Sequence, residues 1–469
     1  MEDAGLSGPP TGATTADHDL KRTLQARHIQ MIAIGGAIGV GLFLGSGEAI
    51  AMAGPSLIVA YAFAGAMLML MMRALGELIL HRPVSGSFVV YAKEFIGPWA
   101  GYATGWAYWL MWVSIVMAEV TAIGIYVQYW WAGFPQWIPA IVALLLVLAG
   151  NLVAVRVFGE LEFWFSMVKV VTILGLIVIG VFVLVTKAGD LGDTASLSNL
   201  WNDGGLFPTG LSGTLSALLV VVFAFLGVEL VGVTAGETEN PERSIPRAVR
   251  QITARILIFY IGTMLVIMAL MPWDEISPTA SPFVTVFSAV GIPAAGSIVT
   301  VVVIVSALSS ANSGIFSCGR MLLNLSYHGH APTRLRAVTS GVPRAGIWVS
   351  VIVMSLGVVL NVIIPAEAFL AITSVAALAG LWTWSMIMFS HLGYRRRVRA
   401  GDLPGVSFRL PGSPWTNYVF LAFVAMTAIM AALSPAQRIA FPAAAVFAVG
   451  LAVGYWRLTA RRTKLASAA

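Results

Sequence analysis

The chain has 469 residues, 58% of them hydrophobic and only 10% charged, with a formal net charge of +6 and a mean hydropathy of +0.88. Soluble domains carry about 25% charged residues, so these values exclude a soluble globular protein and indicate a polytopic membrane protein embedded in a lipid bilayer. Lysine and arginine are spread over loops rather than gathered on one module, which excludes a nucleic acid partner; the single cysteine, Cys318, excludes a disulfide framework.

Residues 1–18 are polar, rich in glycine, proline and threonine, and lack an apolar stretch, so they read as a disordered cytoplasmic tail rather than a cleaved signal. A membrane-crossing helix needs about 20 mainly apolar residues. Windows of that kind fall near 30–51, 56–80, 98–129, 138–155, 163–186, 212–236, 249–271, 295–327, 345–364, 367–391, 415–434 and 438–457. The expected fold is all-α, a polytopic membrane protein of twelve transmembrane helices. Arg82, Lys93, Arg250, Arg334 and Arg395 to Arg397 fall on one side of these windows, with only Lys187 and Arg438 on the other. Basic loops stay in the cytoplasm, which places both termini there and the chain in the cell inner (plasma) membrane. Trp130, Trp131 and Trp137 bracket a short loop on the opposite side, as an aromatic belt does.

Spans one and six are each interrupted by glycine, at Gly35-Gly36-Ala37-Ile38-Gly39-Val40-Gly41 and at Phe225-Leu226-Gly227-Val228-Glu229-Leu230-Val231-Gly232. Main-chain polar groups are not left unpaired in hydrocarbon, so unwound helix at membrane depth lines a cavity or holds something polar. The pattern reads as a secondary transporter with a site at mid-membrane. Five spans is an odd number, so a second copy of a five-span unit enters the membrane upside down. The expectation is an inverted five-plus-five repeat with broken helices one and six, plus two extra helices. That divides the chain into a ten-helix core over 19–391, two further helices over 392–458 and a cytoplasmic tail over 459–469.

Glycine permits the helix of span one to stop, and its restart exposes free amides with partial positive charge. Ile38, Gly39, Val40 and Gly41 are therefore an expected cradle for a carboxylate; close helix packing through small residues is the alternative. Unwinding of span six at Ala224 to Gly227 opens the carbonyls of Phe223, Ala224 and Phe225, which suit an ammonium group. Together the two breaks form a receptor for a small amino acid zwitterion. Ala118 and Ala122 in span three leave modest room, while Phe225, Trp382 and Trp384 either narrow the cavity or pack against helices and lipid.

Three buried ionisable residues are candidates for handling a proton, because a charge at membrane depth is costly. Glu229 follows the span-six break and either holds a proton or ties down loose amides. Glu119, deep in span three, is a relay or a structural hydrogen-bonding group. Lys169 in span five either snorkels to the headgroups or lies between spans one, five and eight in place of a bound cation. Arg73 and Glu77, one turn apart in span two, read as a topological ion pair. His28, His81, His328, His330 and His391 fall at loops or span ends. No nucleophile or metal spacing stands out, so no enzyme activity, cofactor or metal is expected.

Three stretches carry a resemblance. They are Arg27-His28-Ile29-Gln30-Met31-Ile32-Ala33-Ile34-Gly35-Gly36-Ala37-Ile38-Gly39, Phe158-Gly159-Glu160-Leu161-Glu162-Phe163-Trp164, and Glu237-Thr238-Glu239-Asn240-Pro241 followed by Ser244-Ile245-Pro246-Arg247-Ala248. From about Leu20 to beyond span ten the chain resembles bacterial amino acid permeases of the amino acid–polyamine–organocation superfamily. Leu200-Trp201-Asn202-Asp203-Gly204-Gly205, Gly97-Pro98-Trp99-Ala100-Gly101-Tyr102 and Ser309-Ser310-Ala311-Asn312-Ser313-Gly314 are most similar to the branch that carries D-serine, D-alanine and glycine. The resemblance implies the inverted five-plus-five fold, proton symport and alternating access about helices one and six. It also implies that Lys169 corresponds to a span-five lysine used in proton coupling, and Glu229 to an acid after the span-six break. A functional monomer is expected. The rival readings are a permease for another amino acid such as GABA or proline, and a non-transporting amino acid sensor that shares the fold.

Overall fold

The computed structural model describes residues 38–84, 86–152, 155–230, 241–291, 294–339 and 341–468, and these are mostly helical. Among the described residues there is no β-strand, only an isolated bridge between Thr339 and Val342. Residues 35–37 of the span-one glycine run, Val231, Gly232 and the stretch 237–240 lie outside the described residues.

In chain order the helices are α1 (Val40–Phe43), α2 (Gly45–Ala53), α3 (Leu57–His81), α4 (Ser87–Phe95), α5 (Pro98–Val127), α6 (Trp137–Leu152) and α7 (Val155–Thr186). There follow α8 (Gly210–Ser216), α9 (Leu218–Phe225), α10 (Pro241–Arg255), a π-helical segment (Ile256–Gly262) and α11 (Thr263–Leu270). The remainder is α12 (Pro282–Ser288), α13 (Ala295–Tyr327), α14 (Arg344–Ile363), α15 (Ala368–Ala400), α16 (Trp415–Leu433) and α17 (Ala440–Ala468). Among the described residues nine helices are long and apolar enough to cross a membrane, the first running from Gly45 to His81. Two shorter apolar helices, Trp137–Leu152 and Gly210–Phe225, lie within the windows expected for spans four and six.

The helices form concentric layers. In α5, 83% of the apolar window is buried, whereas the figure is 28% for α16 and 0% for α17. Helix α5 is thus the central post, packed on α13, α14 and α15, and α17 lies outermost. Lipid tails are as apolar as leucine, so close packing rather than burial holds such helices together, and small residues permit it. Gly314 of α13 shows this: a side chain there would collide with Val116 and press on Trp112 of α5.

Two expectations are corrected by the packing. Glu77 does not pair with Arg73. Its Oε2 lies 3.0 Å from His391 Nε2 and accepts the Leu410 amide at 2.6 Å, and its Oε1 lies 3.2 Å from Arg395. Arg73 turns the other way, 4.4 Å over the Phe408 ring, and donates to the Arg409 carbonyl at 2.8 Å. His391 is not a span-end residue, because α15 continues to Ala400 and buries the imidazole completely. The last helix runs on to Ala468.

Candidate functional site

Helix α9 ends where Leu226 turns out of the helix (φ −59°, ψ 148°) and Gly227 takes φ 93°. A positive φ of this size is left-handed territory that glycine occupies without steric cost, so the break in span six depends on it. The carbonyls at the break are less open than the sequence implies. Phe223 oxygen accepts the Leu226 amide at 3.1 Å, and Ala224 oxygen accepts the Tyr260 hydroxyl at 2.8 Å. Tyr260 belongs to the π-helical segment Ile256–Gly262, and such insertions re-aim side chains at functional places. Each carbonyl has two lone pairs, so each retains capacity for one further donor. The Phe225 ring is buried edge-on against Tyr61 and Tyr260, at 5.7 and 4.9 Å.

On the span-one side, Ile38 and Gly39 are non-helical and α1 begins at Val40. The Val40 amide donates to both carboxylate oxygens of Glu119, at 3.3 Å each. Ser310 of α13 lines the chamber beside the same carboxylate, and Lys169 acts on it electrostatically. Ser306 donates to the Ile38 carbonyl at 3.3 Å. The amide expected to receive a ligand carboxylate therefore holds a carboxylate of the protein itself. Helices α1 and α9 touch through backbone, since a Cβ on Gly41 would lie 2.7 Å from Ala224 Cα; a Cβ on Gly39 would collide with the Glu119 side chain.

Between the start of α1 and the end of α9 is a chamber of about 20 Å³. One water needs about 10–15 Å³, so this is a closed conformation that must open to admit an amino acid. Gly39, Gly41, Glu119, Phe223 and Ala224 line it, together with Trp112, Ile115, Leu226 and Ser310. Ala118 is fully buried but does not line the chamber. Lys169 is 0% exposed, so its ammonium does not reach the headgroups. Glu229 is buried with its Oε1 accepting the Gly227 amide at 3.2 Å and its Oε2 accepting the Trp384 indole at 3.2 Å. Trp384 is thereby tied to the acid after the break, while Trp382 is 39% exposed and turned outward.

Of the lining residues, the sequence reading gave no role to Trp112, Ile115, Leu226 or Ser310, nor to Tyr260 at the neighbouring carbonyl. A signal existed for three of them. Trp112 and Ile115 stand seven and four positions before Glu119, on its helical face, and Ser310 belongs to a polar run inside an apolar span. No local signal announces the π-helical insertion that delivers Tyr260.

Over residues 28–459 the chain matches the amino acid permease family. It belongs to that family. The permease is 46% identical over 423 residues to the uncharacterized amino acid permease YtnA of Bacillus subtilis (strain 168), covering 90% of this chain and 91% of that one. It is 43% identical over 442 residues to the probable threonine/serine transporter YbxG of the same strain, covering 94% and 96%. It is 43% identical over 444 residues to the D-serine/D-alanine/glycine transporter of Escherichia coli (strain K12), covering 94% of each chain. Membership fits the geometry: the start of α1 and the break at Gly227 face one chamber, and an acid from a third helix occupies the first amide of α1.

Proposed function

We propose that this permease is a proton-coupled symporter that carries small neutral amino acids, D-serine, D-alanine and glycine, into the cell by alternating access. The observation that carries the reading is the seat of Glu119 on the Val40 amide, beside the break at Gly227 and within electrostatic reach of the buried Lys169. In the closed state Glu119 stands where the substrate carboxylate would bind. Protonation of Glu119, with the proton exchanged through Lys169, weakens its hold on the amide, and the substrate carboxylate replaces it at Ile38 to Gly41. The substrate ammonium is received by the remaining lone pairs of Phe223, Ala224 and Phe225. Glu229 holds the span-six break in register and is the second candidate for the coupled proton. A ligand shifts the cycle only by binding one conformation better than the other, and displacement of an internal carboxylate supplies that difference.

The small side chain is supported by the crowding of Trp112, Phe223 and Leu226 about the chamber and by the identity with the D-serine/D-alanine/glycine transporter. The same reading includes twelve spans in an inverted five-plus-five arrangement, both termini in the cytoplasm of the inner membrane, and a functional monomer. Uptake of radiolabelled glycine into proteoliposomes, with D- and L-amino acids as competitors, tests it. Expected are strong competition by D-serine and D-alanine, dependence on an inward pH gradient, and indifference to sodium. No competition by D-serine and D-alanine would remove the substrate assignment, and sodium-driven uptake would remove the coupling. A second reading, L-threonine and L-serine, is favoured by the equal identity to the probable threonine/serine transporter, and the same competition panel separates the two.

A further inference from the structure

The outermost helix covers a space that the transport site does not use. One face of α17, running from Ala444 through Ala448 and Ala452 to Tyr455, closes over a crevice of about 550 Å³ whose other walls are α5 and α15. Its spacing of three and four residues is one helical stripe. Opposite stand Ala103, Ala107 and Leu110 of α5, and Leu378 and Trp382 of α15. Alanines on facing helices ordinarily let the backbones touch, yet here they are held apart. The prop is aromatic. The Tyr102 and Tyr455 rings meet at 5.5 Å, and the Tyr102 hydroxyl abuts Gly454, where an added side chain would collide with it.

Size and position select the occupant. From Trp99 to Leu110 the α5 wall rises roughly 16 Å at 1.5 Å per residue, close to one leaflet of a hydrocarbon core about 30 Å thick. The walls are apolar along that whole length, which suits an extended hydrocarbon chain. The interfacial end carries positive charge. Lys93 is exposed, its stem against Gly101 next to Tyr102, and Arg457 is exposed two residues beyond Tyr455. The nearby acid Glu94 is occupied by Arg82 at 2.9 Å and Arg397 at 3.9 Å. Trp99, 45% exposed at the start of α5, is placed as interfacial aromatics are.

We infer that this crevice binds one acyl chain of an anionic phospholipid, its headgroup at Lys93 and Arg457 and its chain wedged between α5, α15 and α17. On the orientation proposed above, the lipid comes from the cytoplasmic leaflet; the crevice itself does not depend on that orientation. The wedge bears on two helices of the transport site, since α5 carries Glu119 and α15 carries the Trp384 that holds Glu229.

Native mass spectrometry of the full chain, purified in mild detergent and exposed to phosphatidylglycerol or phosphatidylcholine, tests the site without measuring transport. Expected is one tightly retained lipid, with phosphatidylglycerol preferred by roughly thirtyfold, as two basic side chains near a headgroup supply. Ala448→Trp should abolish retention, and the doubly substituted Lys93→Gln, Arg457→Gln chain should retain both lipids equally. The milder Ala107→Leu, from the opposite wall, should weaken retention and serves if the tryptophan variant fails to fold. Retention unchanged in Ala107→Leu, equal retention of the two lipids by the parent chain, or a protein dimer that Ala448→Trp dissolves would each overturn the proposal. Glycine binding measured on the same samples reports separately on the transport site.

Discussion

Glu119 sets both of its carboxylate oxygens 3.3 Å from the Val40 amide, across a sequence separation of 79 residues. A side-chain acid thus satisfies the first free donor of α1, the same donor that an amino acid carboxylate requires. Glu119→Gln tests the consequence. The carboxamide oxygen still accepts the Val40 amide but the group no longer exchanges a proton. Accumulation of glycine driven by a pH gradient should be lost, while exchange of glycine for glycine at equal pH persists. Concentrative uptake at the parent level in the variant would remove Glu119 from the coupling step.

Lys169 is fully buried and acts on Glu119. A buried cation removed from its anionic partner leaves an uncompensated charge, which is strongly destabilising. Lys169→Met should therefore uncouple uptake from the pH gradient, and the double variant Lys169→Met, Glu119→Gln should be more stable to heat than Lys169→Met alone. Thermal unfolding in detergent compares them, and additive losses would mean that the two groups do not interact.

Gly41 is the point at which spans one and six meet backbone to backbone, since a Cβ there would approach Ala224 Cα to 2.7 Å and Ala224 nitrogen to 3.1 Å. Backbone cannot swing aside as a side-chain tip does. Gly41→Ala should lower glycine uptake at least about tenfold, the effect of about 1.4 kcal/mol at the site, with normal amounts of protein in the membrane. Gly450→Ala, where an added Cβ meets nothing, is the control and should transport normally.

Tyr260 donates to the Ala224 carbonyl at 2.8 Å. Its loss in Tyr260→Phe removes a hydrogen bond worth about 0.5–1.5 kcal/mol and loosens the span-six break without introducing a charge. The expected result is a rise of up to about tenfold in KM for glycine with coupling to the pH gradient intact. An unchanged KM would separate the break from the ammonium site.

The three contacts on Glu77 join α3, α15 and the loop before α16, and Asn417 of α16 meets the other ring nitrogen of His391 at 3.0 Å. Breaking a buried ionic group by deleting one partner costs about 3–5 kcal/mol. Glu77→Ala should accordingly lower thermal stability far more than Arg73→Ala, whose guanidinium lies on the surface ring of Phe408. Equal effects would mean that the Glu77 network carries no stability of its own.

The sequence by itself determined the membrane environment, the places of the apolar helices, the break at Gly227 and the three buried ionisable residues, because hydropathy and glycine's freedom are properties of short stretches. It did not determine partners. Glu77 was one turn from Arg73 yet bonds His391; Phe225 adjoined the break yet packs away from the chamber; Ala118 and Glu119 are neighbours, and only Glu119 lines the chamber. Those outcomes depend on how far each helix is rotated about its axis, and in a membrane that rotation is fixed by packing against several neighbours at once. The seat of Glu119, the π-helical turn that aims Tyr260 and the crevice under α17 are all consequences of rotation and spacing, so only the tertiary structure decided them.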